Sequence, residues 1–404
     1  MSGAHPNIIR LYFIKIAKWF MLFMPIVVPF YESNGLMMKD IMVLQAIYSV
    51  SIVLLEIPSG YLADVWGRKR TLVLGAFMGV TGFGIYTISY GFTGFLVAEM
   101  ILGIGSSCVS GADSAMLYDS LAEQRDEKKY SRFEGRITSL GNFAEAAAAI
   151  LGGLLATISL RTPYIAQTFV ALIAVPAALT LREPVRHVKL VKSGLAQVFH
   201  IAGFALFRNR ELRRNILFSA FTGAATLTMA WFVQAFFEEV EIQIRWFGFL
   251  WAGLNLTVAV ASYFAHLLEV RIRQKGSILL IGLGIPAGYI LLSQSGLVTG
   301  LVVLFLFHLV RGYATPVLKD YINRVTTSEV RATVLSVRNF IIRINFSLIG
   351  PVAGWIKDVY SLSHALLIAG ITFLVLTIIT GLLFLASGKS MDRARSYTSS
   401  TRPS

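Results

Sequence analysis

The chain has 404 residues, 55% of them hydrophobic and only 14% charged, with a formal net charge of +14. A soluble chain carries roughly a quarter charged residues to build its polar shell, so this composition excludes a soluble enzyme and implies an all-α integral membrane protein. The basic excess lies in short gaps between apolar runs, which excludes a nucleic-acid surface and fits the bias of membrane proteins towards Lys and Arg in cytoplasmic loops.

A helix needs roughly 20 apolar residues to cross the hydrocarbon core. Divided at charges and at Gly, Ser and Pro, the chain offers about twelve such runs. The first six are predicted at Ile9 to Tyr31, Asp40 to Ala63, Thr71 to Tyr90, Phe95 to Leu121, Ile137 to Ile158 and Tyr164 to Leu181. The second six are predicted at Asn215 to Phe237, Trp246 to Leu268, Ser277 to Leu292, Leu297 to Tyr321, Val334 to Ile356 and Ser363 to Ala386. The first run is longer than a signal-peptide core and has no small-residue cleavage site close behind it, so it is expected to be retained. Lys15 and Lys18 within it are expected to snorkel to the inner face. Continuous apolar runs favour helices; a barrel would show short alternating strands.

One set of gaps holds Arg68 to Arg70, then Arg125, Lys128, Lys129, Arg132 and Arg136, then eight bases from Arg182 to Arg214, then Arg271, Arg273 and Lys275. The opposite set holds only Lys39, Arg161, Arg245 and Lys357. This asymmetry places both termini in the cytoplasm, with a bacterial inner membrane as the expected setting. The chain thus divides into a six-helix bundle over residues 1–181, a cytoplasmic loop over 182–214, a second six-helix bundle over 215–386 and a Ser/Thr/Arg-rich tail over 387–404 expected to be disordered. Within the loop, "GLAQVFHIAGFALF" from Gly194 to Phe207 has apolar residues at helical spacing between basic ends, as in a helix lying on the inner leaflet.

The two bundles repeat. "GYLADVWGRKR" ends the second span and "AHLLEVRIRQK" the eighth, which sets Asp64 on Glu269, Arg68 on Arg273 and Arg70 on Lys275. "LYDSL" and "LKDYI" likewise set Asp119 on Asp320. An acid followed by bases at matching places in two six-span halves implies parallel pseudo-symmetry. Gly60 and Gly67 allow close helix approach and a tight turn. Asp64 can accept from the open N–H groups of a neighbouring helix start. Gly75/Gly79 and Gly284/Gly288 have small-xxx-small spacing for helix packing.

Gly60, Asp64, Gly67, Arg68 and Arg70 resemble the signature between spans two and three of the major facilitator superfamily, and the resemblance extends over nearly the whole chain. It implies that the knot clasps the two halves on the cytoplasmic side, with Asp64 meeting the start of span eleven near Thr333 to Ser336 and Arg68 meeting Asp119. Glu269, Arg273 and Asp320 form the degenerate second copy. Val65 departs from the usual base. Glu99 stands where many drug/proton antiporters of the family have Arg, and Ala148 and Ala149 stand where they have Gly-Pro; a Gly-Pro pair occurs instead at Gly350 and Pro351.

Ionisable residues inside the bilayer are functional candidates because they are costly to keep there. Glu56, Asp113, Glu145, Arg311 and Arg343 are expected at similar depth, with Glu99 as a further acid. Asp113 and Glu145 on consecutive spans are expected to share a proton. Arg311 and Arg343 cannot discharge and suit an anionic group or the acids themselves. Trp231, Gln234, His308 and Tyr313 fall on spans that line the cavity in this family. Cys108 is alone, so no disulfide framework exists. "SGKS" at Ser387 to Ser390 lacks the first glycine and the strand of a P-loop, and no hydrolase signature occurs. Asn255 and Asn345 head sequons inside spans, where glycosylation is not expected.

The resulting expectation is a secondary transporter, not an enzyme, that moves a small solute by alternating access with a proton as coupling ion. Export of an amphipathic or drug-like compound comes first. Uptake of a small anionic or zwitterionic metabolite is the alternative, and a membrane-embedded enzyme or lipid-handling scaffold is the reading from a different class. The expected partners are the substrate, protons and membrane lipids, with no cofactor, no metal, no nucleic acid and a monomeric state.

Overall fold

The computed structural model describes residues 6–184, 200–327 and 330–385. All regular structure among them is helical. α1 (Pro6–Trp19) and α2 (Val27–Ser33) make the first span, followed by α3 (Met38–Val65), α4 (Arg68–Ile88), α5 (Gly91–Ala122), α6 (Tyr130–Ala156) and α7 (Thr162–Leu179). After the central segment come α8 (Arg210–Glu239), α9 (Phe247–Leu292), α10 (Leu297–Arg324), α11 (Arg331–Val359) and α12 (Leu362–Leu385). Among the described residues eleven stretches are long and apolar enough to cross a membrane. One of these, Ile244–Leu292, is broken at Arg273, which takes φ 57° and ψ 179°. Its two arms correspond to the expected eighth and ninth spans. The tail from Ser387 lies outside the described residues.

The structure forms two compact units. The first comprises Met1–Lys192, Gln234–Asn255 and Gly350–Asp358; the second comprises Ser193–Val233, Leu256–Ile349 and Val359–Ser404. The first unit therefore takes in the end of α8, the start of α9 and the end of α11, which a division at the central loop would assign to the second bundle.

In the first unit α4 lies along α5 and α7, α3 lies along α5, and α1 packs on α6 and α7. Glycine sets the α4–α5 approach: a Cβ at Gly75 would come 2.7 Å from Val109 Cγ2 and 3.0 Å from the Gly105 carbonyl oxygen. Gly79, its expected partner in packing, has nothing within 4 Å of an added Cβ.

The first span is not continuous. Pro25 has no N–H to give and its ring conflicts with the carbonyl four residues back, so the helix stops at Trp19 and resumes through a short 3-10 turn at Met24–Ile26. Gln234 mends this break. Its Oε1 accepts from Val28 N at 3.0 Å and its Nε2 donates to the Met24 carbonyl at 2.9 Å. A cavity role for Gln234 is thereby replaced by a structural one: both ends of its fully buried amide are spent on backbone.

Further contacts tie the outlying segments into the first unit. Asp358, at the end of α11, accepts from Met38 N at 2.9 Å and Lys39 N at 2.7 Å, the open donors at the start of α3. Lys357 Nζ donates to Glu32 Oε1 at 2.6 Å. Small residues make the approach possible. A Cβ at Gly152 would fall 1.8 Å from the Leu22 carbonyl oxygen, and one at Gly248 would fall 2.1 Å from that of Ala149. This accounts for the small-residue run "EAAAAILGG" on α6.

In the second unit, Gly288 of the expected Gly284/Gly288 pair abuts Phe307, 2.5 Å from an added Cβ. The basic end of this unit has its own small core of Ala205, Leu212, Ile216, Ile322 and Val334. Only part of the expected interfacial helix is described: residues 200–203 are helical and Phe204–Arg208 form a π-helical turn. Ala205 is buried in that core, while Phe204 and Phe207 are 48% and 79% exposed. The described part is therefore docked on protein by one side rather than lying only on a leaflet.

Candidate substrate and proton site

The knot after α3 is built on its glycine. Gly67 takes φ 113°, a conformation that costs any other residue dearly. A Cβ there would also meet Glu183 Oε2 at 3.2 Å. Glu183 caps α4, accepting from Arg68 N at 2.9 Å and Lys69 N at 2.8 Å. The carboxylate that serves the start of α4 is thus Glu183, just beyond α7. Arg68 pairs with Asp119 on α5, as expected, and also donates to the Ala115 carbonyl. Asp64 and Arg70 are exposed. Gly60 does not serve a close approach, since nothing lies within 4 Å of an added Cβ.

The second copy keeps the order of charges and changes the partners. Glu269 receives the Tyr321 hydroxyl at 3.2 Å and lies 3.6 Å from Arg324 Nη1. Asp320 pairs with Arg324 Nη2 at 2.5 Å, one turn further along α10. Arg273, the counterpart of Arg68, is exposed.

The main polar cluster of the first unit joins α1, α5 and α6. Lys15 Nζ lies 2.7 Å from Glu134 Oε1 and 3.5 Å from Asp113 Oδ2. Ser114 donates from its hydroxyl to Glu134 Oε1 at 3.2 Å and from its backbone N to Asp113 Oδ1 at 2.6 Å. Lys15 is 9% exposed, so it does not snorkel; its partners hold it inside. Lys18, whose side chain reaches the surface, adds a second positive charge near Asp113. Glu134 also lines an open groove of about 550 Å³ along α6 with Tyr130, Gly135, Thr138, Ser139 and Asn142. Its other oxygen, Oε2, is buried without a hydrogen-bond partner among the described residues. Glu145 is half-buried on the same helix, about 16 Å further along its axis at 1.5 Å per residue. The carboxylate brought beside Asp113 is therefore Glu134, in place of Glu145.

Glu99 lies elsewhere in the unit, at 6% exposure. Its Oε1 accepts from Tyr31 at 2.8 Å, Tyr86 at 2.7 Å and Gln45 Nε2 at 2.5 Å, while the two tyrosine oxygens are themselves 2.5 Å apart. Three oxygens thus form a triangle. Two phenol hydrogens can serve two of its edges; the third is filled when the carboxyl carries a proton. Phe95, Phe30 and Tyr164 enclose the group. Arg161 seals the nearby helix end by donating to the carbonyls of Tyr86, Thr87 and Ser89.

In the second unit Tyr313 and Ser277 share a hydrogen bond at 2.5 Å, and His308 Nδ1 lies 2.8 Å from the Leu304 carbonyl on its own helix. Trp231 is buried with its indole N–H unpartnered among the described residues. Arg311 and Arg343 are half-buried, and Glu56, in the first unit, is exposed on α3. No group of three or more metal-ligating side chains occurs among the described residues. The residues that sequence reasoning missed are Lys15 as an ion-pair member, Glu134, Glu183, and the Tyr31, Tyr86 and Gln45 donors around Glu99. Glu134 follows closely on a basic loop and so reads as a surface residue. The available signal was its place one turn before Thr138 and two before Asn142, which makes a polar stripe on one helix face.

A family model described as Major Facilitator Superfamily matches residues 11–350. The uncharacterized MFS-type transporter MJ1560 of Methanocaldococcus jannaschii is 22% identical over 242 residues, which span 58% of this chain and 61% of that relative's length. Among solved structures, a mutant of the nucleoside transporter NupG has a TM-score of 0.78 at 13% identity, over 94% of this chain and 98% of its own. A bacterial homologue of the human lysosomal transporter Spinster, inward-facing and unoccupied, has a TM-score of 0.78 at 14% identity, over 97% and 99%. A POT family transporter in complex with 5-aminolevulinic acid has a TM-score of 0.71 at 10% identity, over 94% and 96%. At these identities the structural likeness is one of fold.

Proposed function

This chain belongs to the Major Facilitator Superfamily, and we propose that it is a secondary transporter, not an enzyme, which moves a small solute by alternating access with a proton as the coupling ion. The observation that carries the coupling is Glu134. One of its oxygens is held by Lys15 and Ser114; the other is buried without a hydrogen-bond partner among the described residues, beside an open groove wide enough for water. In this proposal a proton binds that second oxygen when it reaches the groove. Neutral Glu134 releases Lys15 to Asp113, which changes how α1 is held against α6. A proton arriving from the groove is in this way converted into a change of helix contact.

The basic loops support cytoplasmic termini in a bacterial inner membrane. The Arg68–Asp119 pair and its glycine turn act as the conformational clasp, and a monomer suffices for the cycle. Export of an amphipathic compound remains the first direction from the family resemblance; uptake of an anionic solute gains from an arginine described below.

The test starts from solutes that raise the melting temperature of the purified protein. Their accumulation in proteoliposomes is measured with and without an imposed pH gradient. Glu134→Gln is expected to abolish accumulation while leaving downhill exchange. Accumulation that ignores the gradient in the wild type would rule out the proton, and undiminished accumulation in Glu134→Gln would move the coupling site to Glu99.

A further inference from the structure

Arg338 is a basic residue that the reading of the sequence passed over. It sits on α11 about 10 Å from the helix start at 1.5 Å per residue, and it is 6% exposed. Its Nε donates to Ser219 Oγ on α8 at 2.5 Å, and its Nη1 donates to the side-chain oxygen of Asn339 at 3.1 Å. Both acceptors are neutral. No carboxylate among the described residues forms an ion pair with Arg338. Lys319 on α10 deepens the imbalance: it lies near enough for the two cations to repel, and it makes no ion pair among the described residues either.

A guanidinium does not discharge at any physiological pH. A fold that buries one normally supplies an acid, because an uncompensated charge in a low-dielectric interior is among the costliest features a protein can hold. Here the neighbours supply more positive charge instead. Of the five N–H groups of Arg338, two are engaged and three have no partner among the described residues. The Ser219 hydroxyl accepts from Arg338 and keeps its own hydrogen, which has no acceptor among the described residues. A planar fork and a hydroxyl thus meet at one place in the second unit, with the exposed ammonium of Lys319 adding positive charge to the neighbourhood. That donor set matches the geometry and charge of an oxyanion.

We propose that Arg338, Ser219 and Lys319 form an oxyanion-binding site, which takes the carboxylate or phosphate group of a small solute or of a lipid headgroup. Arg338 grips two oxygens with its free N–H edge, Ser219 donates its hydroxyl, and Lys319 balances the second charge of a phosphate. As a substrate site it rests on the transport reading above; as a binding site it does not.

The test uses the full chain in nanodiscs of phosphatidylcholine alone and of phosphatidylcholine with phosphatidylglycerol. Inorganic phosphate and acetate are titrated against a chloride baseline, with binding followed by calorimetry and stability by thermal unfolding. Phosphate is expected to bind and to raise the melting temperature. Arg338→Gln should weaken that binding at least about thirtyfold, with Arg338→Lys in between because it keeps the charge and loses the fork. Ser219→Ala should weaken it about three- to tenfold. In chloride, Arg338→Gln should be at least as stable as the wild type, since it removes an unbalanced charge. Binding in phosphatidylcholine alone assigns the site to a soluble anion. An Arg338-dependent stabilisation seen only with phosphatidylglycerol assigns it to a headgroup. Three results would overturn the site: no response to any of these anions, phosphate binding indifferent to Arg338→Gln, or a lower melting temperature of Arg338→Gln in chloride. Phosphate bound through Arg338, with no solute accumulated in proteoliposomes, would leave the site standing and defeat only its role in transport.

Discussion

At the turn that ends α3, Gly67 takes φ 113°, Glu183 caps the next helix and Arg68 pairs with Asp119. At the corresponding turn within α9, Arg273 takes φ 57°, while Glu269 and Asp320 both turn to Arg324 on α10. The two turns carry the same order of acid and bases. In the first, the ion-pair side chains are 15% and 14% exposed; in the second, Arg324 and Asp320 are 46% and 49% exposed. Burial decides how much each pairing matters, because water and salt screen an exposed pair. The first turn is a rigid junction of three helices. The second is a looser copy whose charges mainly mark the basic end.

The sharpest way to break this difference is Gly67→Val. It forces a β-branched residue into positive φ and pushes a Cβ towards Glu183, which should cost about 2–4 kcal/mol. Thermal unfolding in detergent checks this against Gly60→Val, where an added Cβ meets nothing within 4 Å and the loss should be several degrees smaller. A comparable loss in both would deny that the turn is special.

Removing the acids comes next. Asp119→Ala leaves Arg68 unpaired in a mostly buried setting and should cost about 2 kcal/mol. Asp320→Ala should cost no more than about 0.5 kcal/mol. A double-mutant cycle on Arg68 and Asp119 should return a clear coupling, and one on Arg324 and Asp320 close to none. Equal couplings would erase the contrast.

Glu183→Ala removes two charge-assisted bonds at the start of α4 and should cost about 1 kcal/mol. Hydrogen exchange of the Arg68 and Lys69 amides reports it directly: faster exchange is expected there, with the amides of α5 unchanged. The smallest effect has the opposite sign. Arg273→Gly relieves a non-glycine residue at positive φ and should raise stability by about 0.5–1 kcal/mol. A melting temperature that falls would show that the Arg273 side chain supports the turn.

Much of the fold was legible because membrane insertion is read locally. Length and hydropathy of each run mark a span whatever lies beside it, although the first span was expected unbroken from Ile9 to Tyr31 and is interrupted near Pro25. The turn at Gly67 was legible for the same reason. The Arg68–Asp119 pair came from family resemblance and is present in the structure. The ninth span was separable from the eighth by its charges, although the two helices follow each other directly across the kink at Arg273.

The candidate site was legible in type but not in pairing. Asp113 and Glu99 are buried polar residues, as their place in apolar runs implied. Nothing in the one-dimensional pattern said that Lys15 would turn inward to meet Glu134, 119 positions away, or that Glu99 would sit among Tyr31, Tyr86 and Gln45. Gln234 was read as a polar residue facing a cavity and is instead the splint of a broken helix.

The sequence by itself determined that this chain is a bundle of membrane-length helices, which end carries the bases, and where its two halves repeat. These properties depend on local composition and on helical period. The tertiary structure decided which charges meet. A helix pattern defines a face, but the rotation and tilt that turn one face towards another are set by packing, down to whether a glycine lets two backbones touch. Lys15 with Glu134, Glu183 with the start of α4, and Arg338 with Ser219 are all products of that packing.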